Sequence, residues 1–477
     1  MASFDAPLDF VSSLEAGRVS KIVLNCIGLR SFSSIRLNSD AESLRQFVEI
    51  FSNADLQELV RSIHYDVILP PVSDKRLQNK LQSNAEAAEN AVAFTRALSS
   101  LFTILSAWKV EGIDLYLTAT SPSDDAALRD GSRSVHAKPG RNDLQYITFN
   151  GTVLSNAQLP SVRAIAALNT LKLDCHSGKA SGRRLHPDLV CAMATALPAL
   201  ESAAWEFSMP PRRMAARRQT FREALAHLLM LPSLSSIRML HITLHDKDPR
   251  NEETGPENFV LDGRDDGLSA AVQTTFTLPE LRDIHFGGKW SLSPVAFKGG
   301  FGPSLASVYI DLSSVTPDGK WVFDIVPLPS DEEDVSDGDS PSESEQTFYD
   351  DFDSADSDAV DWVDKKAEAK ANFELPATDS RGDPSPENFM PLATSIADAV
   401  SSSNGPLRVV EVHLLGSISH IHFGYLGSAN EPAEQPRFSG NWPGWSRDKI
   451  QSQRQGLITR PSWQIFVWGE VVRWKNV

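Results

Sequence analysis

Apolar residues along this chain keep two different periods, and each predicts a different element. In residues 84–108 they recur at Phe94, Ala97, Leu98, Leu101, Phe102 and Leu105, which is helical spacing. Ser39, with Glu42 three positions on, forms a capping box ahead of Leu44, Phe47, Val48 and Phe51, the apolar face of another helix. Residues 59–69 alternate instead, with Ile63, Tyr65 and Val67 on one side, and Pro70 and Pro71 end that strand. Residues 113–117 form a second alternating strand, and Ser121, Pro122, Ser123 and Asp124 make a turn after it.

A third pattern takes over from residue 159. Six stretches carry Leu-Pro or Gly-Pro: Leu159-Pro160, Leu197-Pro198, Leu231-Pro232, Leu278-Pro279, Gly302-Pro303 and Gly405-Pro406. Each is followed by a short apolar run, predicted as strands at 171–173, 203–207, 237–244, 284–286, 308–312 and 409–414. Amphipathic helices precede some of them, with stripes at Leu189, Val190, Met193, Ala194 and Leu197, and at Phe221, Ala224, Leu225, Leu228 and Leu229. Proline stops each helix because its ring clashes with the preceding turn and it has no amide hydrogen. A helix, stop and strand unit cannot bury its apolar face alone, so neighbours must stack. The fold class expected is therefore α/β, an irregular leucine-rich-repeat-like solenoid. Successive stretches 34, 47 and 24 residues apart make it irregular and imply inserted loops, such as residues 245–267.

Charge refines this organisation. The net charge of -17 is local, because fifteen Asp and Glu residues and no Lys or Arg lie between Asp331 and Asp364, leaving -2 for the rest of the chain. Such a stretch has too few apolar groups to offset the entropy of ordering, so a disordered acidic insertion is expected at 329–372. Within it Ser330, Ser336, Ser340 and Ser342 each have an acidic residue three positions on, the pattern acidophilic kinases favour. The folded segments expected are 37–150, an N-terminal helix and strand region, 151–328, the solenoid, and 373–436, its continuation. A Trp-rich cap follows at 437–477, where Trp442, Trp445, Trp463, Trp468 and Trp474 are half of the ten tryptophans.

Cysteine is sparse, with only Cys26, Cys175 and Cys191, which describes no disulfide framework. The first ten residues carry two Asp and no basic residue ahead of any apolar run, the wrong order for a secretory signal, and no apolar run reaches membrane length. A cytoplasmic or nuclear protein without membrane association is expected.

Candidate chemistry is thin. His241, His245 and Asp246, and His413 with His420 and His422, are the densest histidine groups, and neither has a third ligand at metal-binding spacing. Cys191 lies among Val190, Ala192 and Met193 and reads as a small buried hydrophobe. The run Lys298-Gly299-Gly300-Phe301-Gly302 lacks the Lys-Ser or Lys-Thr of a phosphate loop and reads as a turn. No nucleophile elbow or metalloprotease helix is present. No catalytic, cofactor or metal residue is assigned, and the protein is not expected to be an enzyme. One basic run stands out: Arg212, Arg213, Arg217, Arg218 and Arg222, five guanidinium groups within eleven residues. It reads either as a nuclear-localisation or nucleic-acid patch or as the solvated start of a helix, and the absence of interleaved aromatics favours the second.

Several of these pieces resemble the F-box and leucine-rich-repeat-like proteins of filamentous fungi. They are Phe32-Ser33-Ser34-Ile35-Arg36-Leu37, the strand at 59–69 closing on Pro70-Pro71, the helix at 94–108, Ser121-Pro122-Ser123-Asp124, and Trp463-Gln464-Ile465-Phe466-Val467-Trp468. The resemblance implies a substrate receptor of a cullin-based ubiquitin ligase, whose partners are proteins and a ligase adaptor, monomeric outside its complex. Residues 8–26 lack the Leu-Pro-x-Glu-like opening of an F-box, so 1–36 reads as a degenerate or truncated remnant and its adaptor-docking residues cannot be carried over. A stand-alone scaffold or regulatory binding protein, or an enzyme without a recognisable motif, are the alternatives.

Overall fold

The computed structural model describes residues 32–71, 84–122, 146–147, 159–170, 184–210, 215–246, 256–260, 266–327, 379–403, 405–415, 420–426, 462–467 and 470–472. The strands of the N-terminal half are β1 (Ser34–Asn38), β2 (Ser62–Ile68), β3 (Ile113–Thr120), β4 (Tyr146–Ile147), β5 (Ile165–Asn169), β6 (Arg184–Leu185), β7 (Ser202–Ser208) and β8 (Met239–His245). Those that follow are β9 (Asp283–Trp290), β10 (Ser307–Ser313), β11 (Phe323–Pro327), β12 (Asp379–Pro384), β13 (Val409–Leu415), β14 (His420–Leu426), β15 (Ser462–Val467) and β16 (Glu470–Val472). The helices are α1 (Ala41–Ile50), α2 (Ala54–Gln57), α3 (Asn84–Ser106), α4 (Pro187–Thr195), α5 (Ala215–Leu229), α6 (Gly267–Phe276) and α7 (Pro386–Ser401).

Twelve strands form one sheet in the order β1-β2-β3-β5-β7-β8-β9-β10-β13-β14-β15-β16. The first nine pair in parallel, and β14, β15 and β16 close the far edge as an antiparallel meander. Strand order never reverses. Because parallel crossovers are right-handed, an order that runs one way puts every connecting helix on the same face. The strands record this. β2, β3, β8 and β10 alternate strictly between buried and half-exposed positions, where a sheet covered on both faces would be buried throughout.

The helical face holds a single apolar core that extends from Leu37 to Leu414. At its N-terminal end α1 docks through Phe47 and Phe51, whose rings lie 5.4 and 5.8 Å from that of Trp108. The cap of α1 is not Ser39 as the capping box predicts. Asp40 accepts from the Ser43 amide at 2.8 Å, and Ser39 accepts instead from the Ile68 amide, tying β2 to the start of the helix. Ser34, Ile35 and Arg36, expected within the 1–36 remnant, belong to β1 and pair with β2. Tyr65 points into the core, as its alternation predicts, and donates its hydroxyl to the Ala97 carbonyl at 3.0 Å.

Each of the six Leu-Pro or Gly-Pro stretches precedes a strand of the parallel sheet. Four fold alike. The amides of Leu200, Leu234, Leu281 and Leu305 close back on the carbonyls of Leu197, Leu231, Leu278 and Gly302, a turn with proline at its second position. The turn drops the apolar residue two past the proline into the core: Val162, Leu200, Leu234, Leu281 and Leu305 are all fully buried. Backbone bonds then link one turn to the next, from Glu201 to Ala166, Arg238 to Glu201, Arg282 to Arg238, Ala306 to Arg282 and Arg408 to Ala306. Five of the six predicted strands match β7, β8, β9, β10 and β13. The other, at 171–173, gives way to β5, which begins six residues sooner, and 171–173 itself lies outside the described residues.

The structure is thus mixed α/β with a large, predominantly parallel sheet. No helix among the described residues is long and apolar enough to cross a membrane. The acidic stretch at 329–372 lies outside the described residues, as does most of the Trp-rich end, although β15 and β16 fall within it.

Candidate functional site

The face of the sheet that carries no helix among the described residues holds one continuous row of aligned residues. Following the register from strand to strand gives Arg36, His64, Tyr116, Asn169, Ala204, His241, His285, Tyr309 and Glu411. Parallel strands stand about 4.8 Å apart, close to the thickness of stacked rings, so aromatic residues in register must stack. His64 and Tyr116 do so at 4.5 Å between centroids and His241 and His285 at 4.3 Å. His285 and Tyr309 are 4.1 Å apart but inclined by 48°, and Tyr309 and His413 5.0 Å apart at 38°. His285 and Tyr309 are only half-buried, so part of each inclined ring is turned outward, while His413 is buried, 2% exposed.

Burial among these rings disfavours the charged imidazolium. It lowers the pKa of His241 to about 4, although Glu206 pulls the other way, and lowers that of His285 to about 2, helped by His241 and His413. Both histidines are neutral near pH 7, so the row offers imidazole nitrogens that can accept as well as donate. The Tyr309 phenol is held protonated by burial and by the charges of Asp311 and Glu411. Around these rings the charge therefore comes mainly from carboxylates.

Close approach of backbone sets the middle of the row. Gly288 has φ of 93°, and a Cβ there would stand 2.2 Å from the Leu244 carbonyl oxygen. The chain bulges at this point, with the β9 to β10 register shifting between Ile310 and Leu312, and the freed Gly288 amide donates to Asp311 at 2.9 Å. Gly287 leaves room for the His285 ring, whose Nε2 would lie 2.8 Å from an added Cβ. Elsewhere on the face His241 Nε2 and Thr243 Oγ1 are 3.1 Å apart, His245 and Glu206 pair at 3.0 Å, and Thr118 and Thr120 both donate to Asp66.

Two of the five arginines of the basic run turn inward. Arg218 and Arg222 are buried, 2% and 4% exposed. Arg218 forks onto Asp246 at 3.0 and 2.8 Å, donates from Nε to Glu257 at 2.5 Å, and reaches the Pro210 carbonyl. Arg222 donates to Asp266 at 2.8 Å and to the Ser291 carbonyl at 2.7 Å. Phe259 lies against both guanidiniums, 4.8 Å from that of Arg222 and 5.6 Å from that of Arg218. Burial works against the Arg218 charge, but Asp246 and Glu257 outweigh it and keep it protonated. The expectation of a solvated or nucleic-acid-facing cluster is therefore corrected for these two residues, which are structural cross-links between the loops after β7 and β8 and the start of α6. Arg217 lies on the exposed side of α5, and Arg212 and Arg213 are outside the described residues.

The remaining candidates are dispersed. Ser330, Ser336, Ser340 and Ser342 lie outside the described residues, as does Cys175. His186 caps α4 by accepting from the Asp188 amide. Cys191 is buried, with its thiol pushed up to about 12 by burial and by Asp188. Gly299 and Gly300 take positive φ in the turn ahead of β10. His413 and His422 are register partners across β13 and β14. No group of three His, Cys, Asp or Glu among the described residues is placed to hold a metal ion. The best-formed concavity there is a shallow groove of about 510 Å³ between α1 and α3, lined by Leu44, Val48, Thr103 and Ile104.

Sequence reasoning missed His64, Tyr116, His285 and Tyr309. The available signal was period two: each sits one position from a core residue and so must face away from the helices. Comparison of the chain with known protein families, with curated proteins and with solved structures finds no match to any of them.

Proposed function

We propose that this chain is a leucine-rich-repeat-like solenoid that recognises a protein partner across the helix-free face of its sheet. The observation that carries the reading is the unreversed order of nine parallel strands. Open α/β sheets that bind small molecules do so where strand order reverses and adjacent loops diverge into a crevice. This sheet has no such reversal, and offers instead a half-exposed face about 38 Å across its parallel strands, from the spacing of neighbouring strands. A row of Tyr and His side chains with carboxylates beside it suits a protein interface, where aromatics are enriched and polar groups form the rim. The reading is of a non-catalytic binding protein.

The family resemblance extends it to a substrate receptor of a cullin-based ubiquitin ligase, or a derivative without that link, with a stand-alone scaffold as the alternative. The test is affinity purification of the tagged chain beside a His285→Ala/Tyr309→Ala variant with an unchanged circular dichroism spectrum. Proteins recovered near stoichiometry with the wild type and lost with the variant are expected. An identical set from both would overturn the reading. Cullin and its adaptor within the recovered set would identify the ligase receptor, and partners without them the scaffold.

A further inference from the structure

We propose that the face binds its partner through arginine side chains of an extended cationic segment, received over the half-exposed rings of His285 and Tyr309 between Glu206, Asp311 and Glu411. This inference rests on the recognition reading above and adds the chemistry of the partner.

The charge of the face points to it. On β7, β8, β9, β10 and β13 the alternate positions turned away from the core carry Glu206, Asp283, Asp311 and Glu411 against one lysine, Lys289. His241 and His285 do not offset this, because ring burial keeps them neutral. Asp311, two residues on along β10, and Glu411, the register partner of Tyr309 on β13, both act electrostatically on its phenol. Asp311 is held in place by the Gly288 amide and Glu206 by His245.

The cation's position along the strands is also set. Arg238, Arg282 and Arg408 stand one residue before β8, β9 and β13, exposed, with Arg238 paired to Glu201 at 3.0 Å. They repel a cation from the amino ends of the strands and leave it the half nearer the carboxyl ends, where Glu206 and Asp311 outnumber Lys289. Guanidinium fits better than ammonium. Its planar fork presents five donors and no acceptor, which matches carboxylates, neutral imidazoles and a phenol oxygen, and it stacks on the exposed part of a ring. The chain's own stretch between Asp331 and Asp364, with fifteen carboxylates and no basic residue, has the wrong sign to occupy this face.

The test uses the full chain and short fluorescein-labelled peptides that alternate Gly with Arg, Lys or Asp. Binding of the Arg peptide should weaken about tenfold or more in Asp311→Asn/Glu411→Gln, the scale of truncating one side of a desolvated charge pair. A Glu206→Gln variant should weaken it as well. Both keep the shape of the residues replaced while exchanging one carboxylate oxygen for an amide group, and circular dichroism checks that they fold. The acidic stretch attracts Arg peptides equally in every variant, so the ratio isolates the face. Equal affinity in wild type and variants overturns the inference, and equal affinity for Arg and Lys peptides overturns its guanidinium part. If the ratio is one while His285→Ala/Tyr309→Ala still loses the recovered proteins, the recognition reading survives and only the cationic partner falls.

Discussion

Arg218 and Asp246 meet through two hydrogen bonds of 3.0 and 2.8 Å, joining the first turns of α5 to the residue just past β8. Glu257 takes the remaining edge of the same guanidinium, so one buried cation fastens two loop segments to the helix layer. A charge this buried is costly unless fully paired.

Removing part of that pairing should therefore cost more than removing an exposed ion pair. Asp246→Ala is expected to destabilise the fold by about 3–5 kcal/mol, because it strands a buried guanidinium, whereas Glu201→Ala, at the exposed pair with Arg238, should cost about 0–1 kcal/mol. Chemical denaturation of the two variants checks this. Equal losses would mean that Arg218 finds water or another partner when Asp246 goes.

The apolar residue two past each proline gives a second expectation. Leu234→Ala, Leu281→Ala and Leu305→Ala should each cost about 2–5 kcal/mol, since each side chain is fully buried where one strand begins. At the last stretch the position two past the proline is the exposed Arg408, and the apolar residue is Leu407, one past Pro406 and only partly buried, which should cost less when truncated. Thermal or denaturant melts of the four variants test the ordering. A loss at Leu407 equal to the others would show that the last of these turns packs as tightly as those before it.

These turns were legible in the sequence because everything they need is local: a helix stripe, a proline that stops it, an apolar residue two positions on. The row of stacked rings was not, because it exists only between strands. His241 and His285 are 44 residues apart in the chain and meet by register alone. The arginine cross-links fall between these cases. Their partners, Asp246, Glu257 and Asp266, lie 28, 39 and 44 residues from them, beyond local reading. Yet Arg218, Phe221, Arg222 and Leu225 share helical spacing, a signal for the buried stripe of α5 that the reading of a solvated helix start passed over. Long charged side chains can lie along an apolar face when partners await their heads.

The bulge in β9 predicts a contrast between two glycines. Gly288→Ala puts a methyl group against the Leu244 carbonyl at a position with φ of 93°, and should lose more than about 2–3 kcal/mol with disruption of the register to β8. Gly112 has φ of 83° but nothing within 4 Å of an added Cβ, so Gly112→Ala should lose only the left-handed backbone cost of about 1–2 kcal/mol. The comparison is made by denaturation. Similar losses would mean that β9 shifts to admit the methyl group.

The depressed histidines make stability depend on acid, with a sign that can be worked out. Burial lowers His241 to about 4 and His285 to about 2 in the fold, while in the unfolded chain both titrate near the ordinary value of 6.5. Below 6.5 the unfolded chain therefore binds protons that the folded chain does not, and by linkage stability rises with pH through this window. Their full contribution is present above about pH 6.5 and is lost as pH falls toward their folded values, for His241 on the order of 3 kcal/mol at about 1.4 kcal/mol per unit. His285→Gln, polar but not titrating, should flatten the decline between about pH 6 and pH 4 while leaving carboxylate-driven loss at lower pH. Denaturant melts across that range, wild type against variant, decide it. Parallel curves would mean that the rings part and hydrate before they are protonated, so that the stack opens locally without unfolding the sheet.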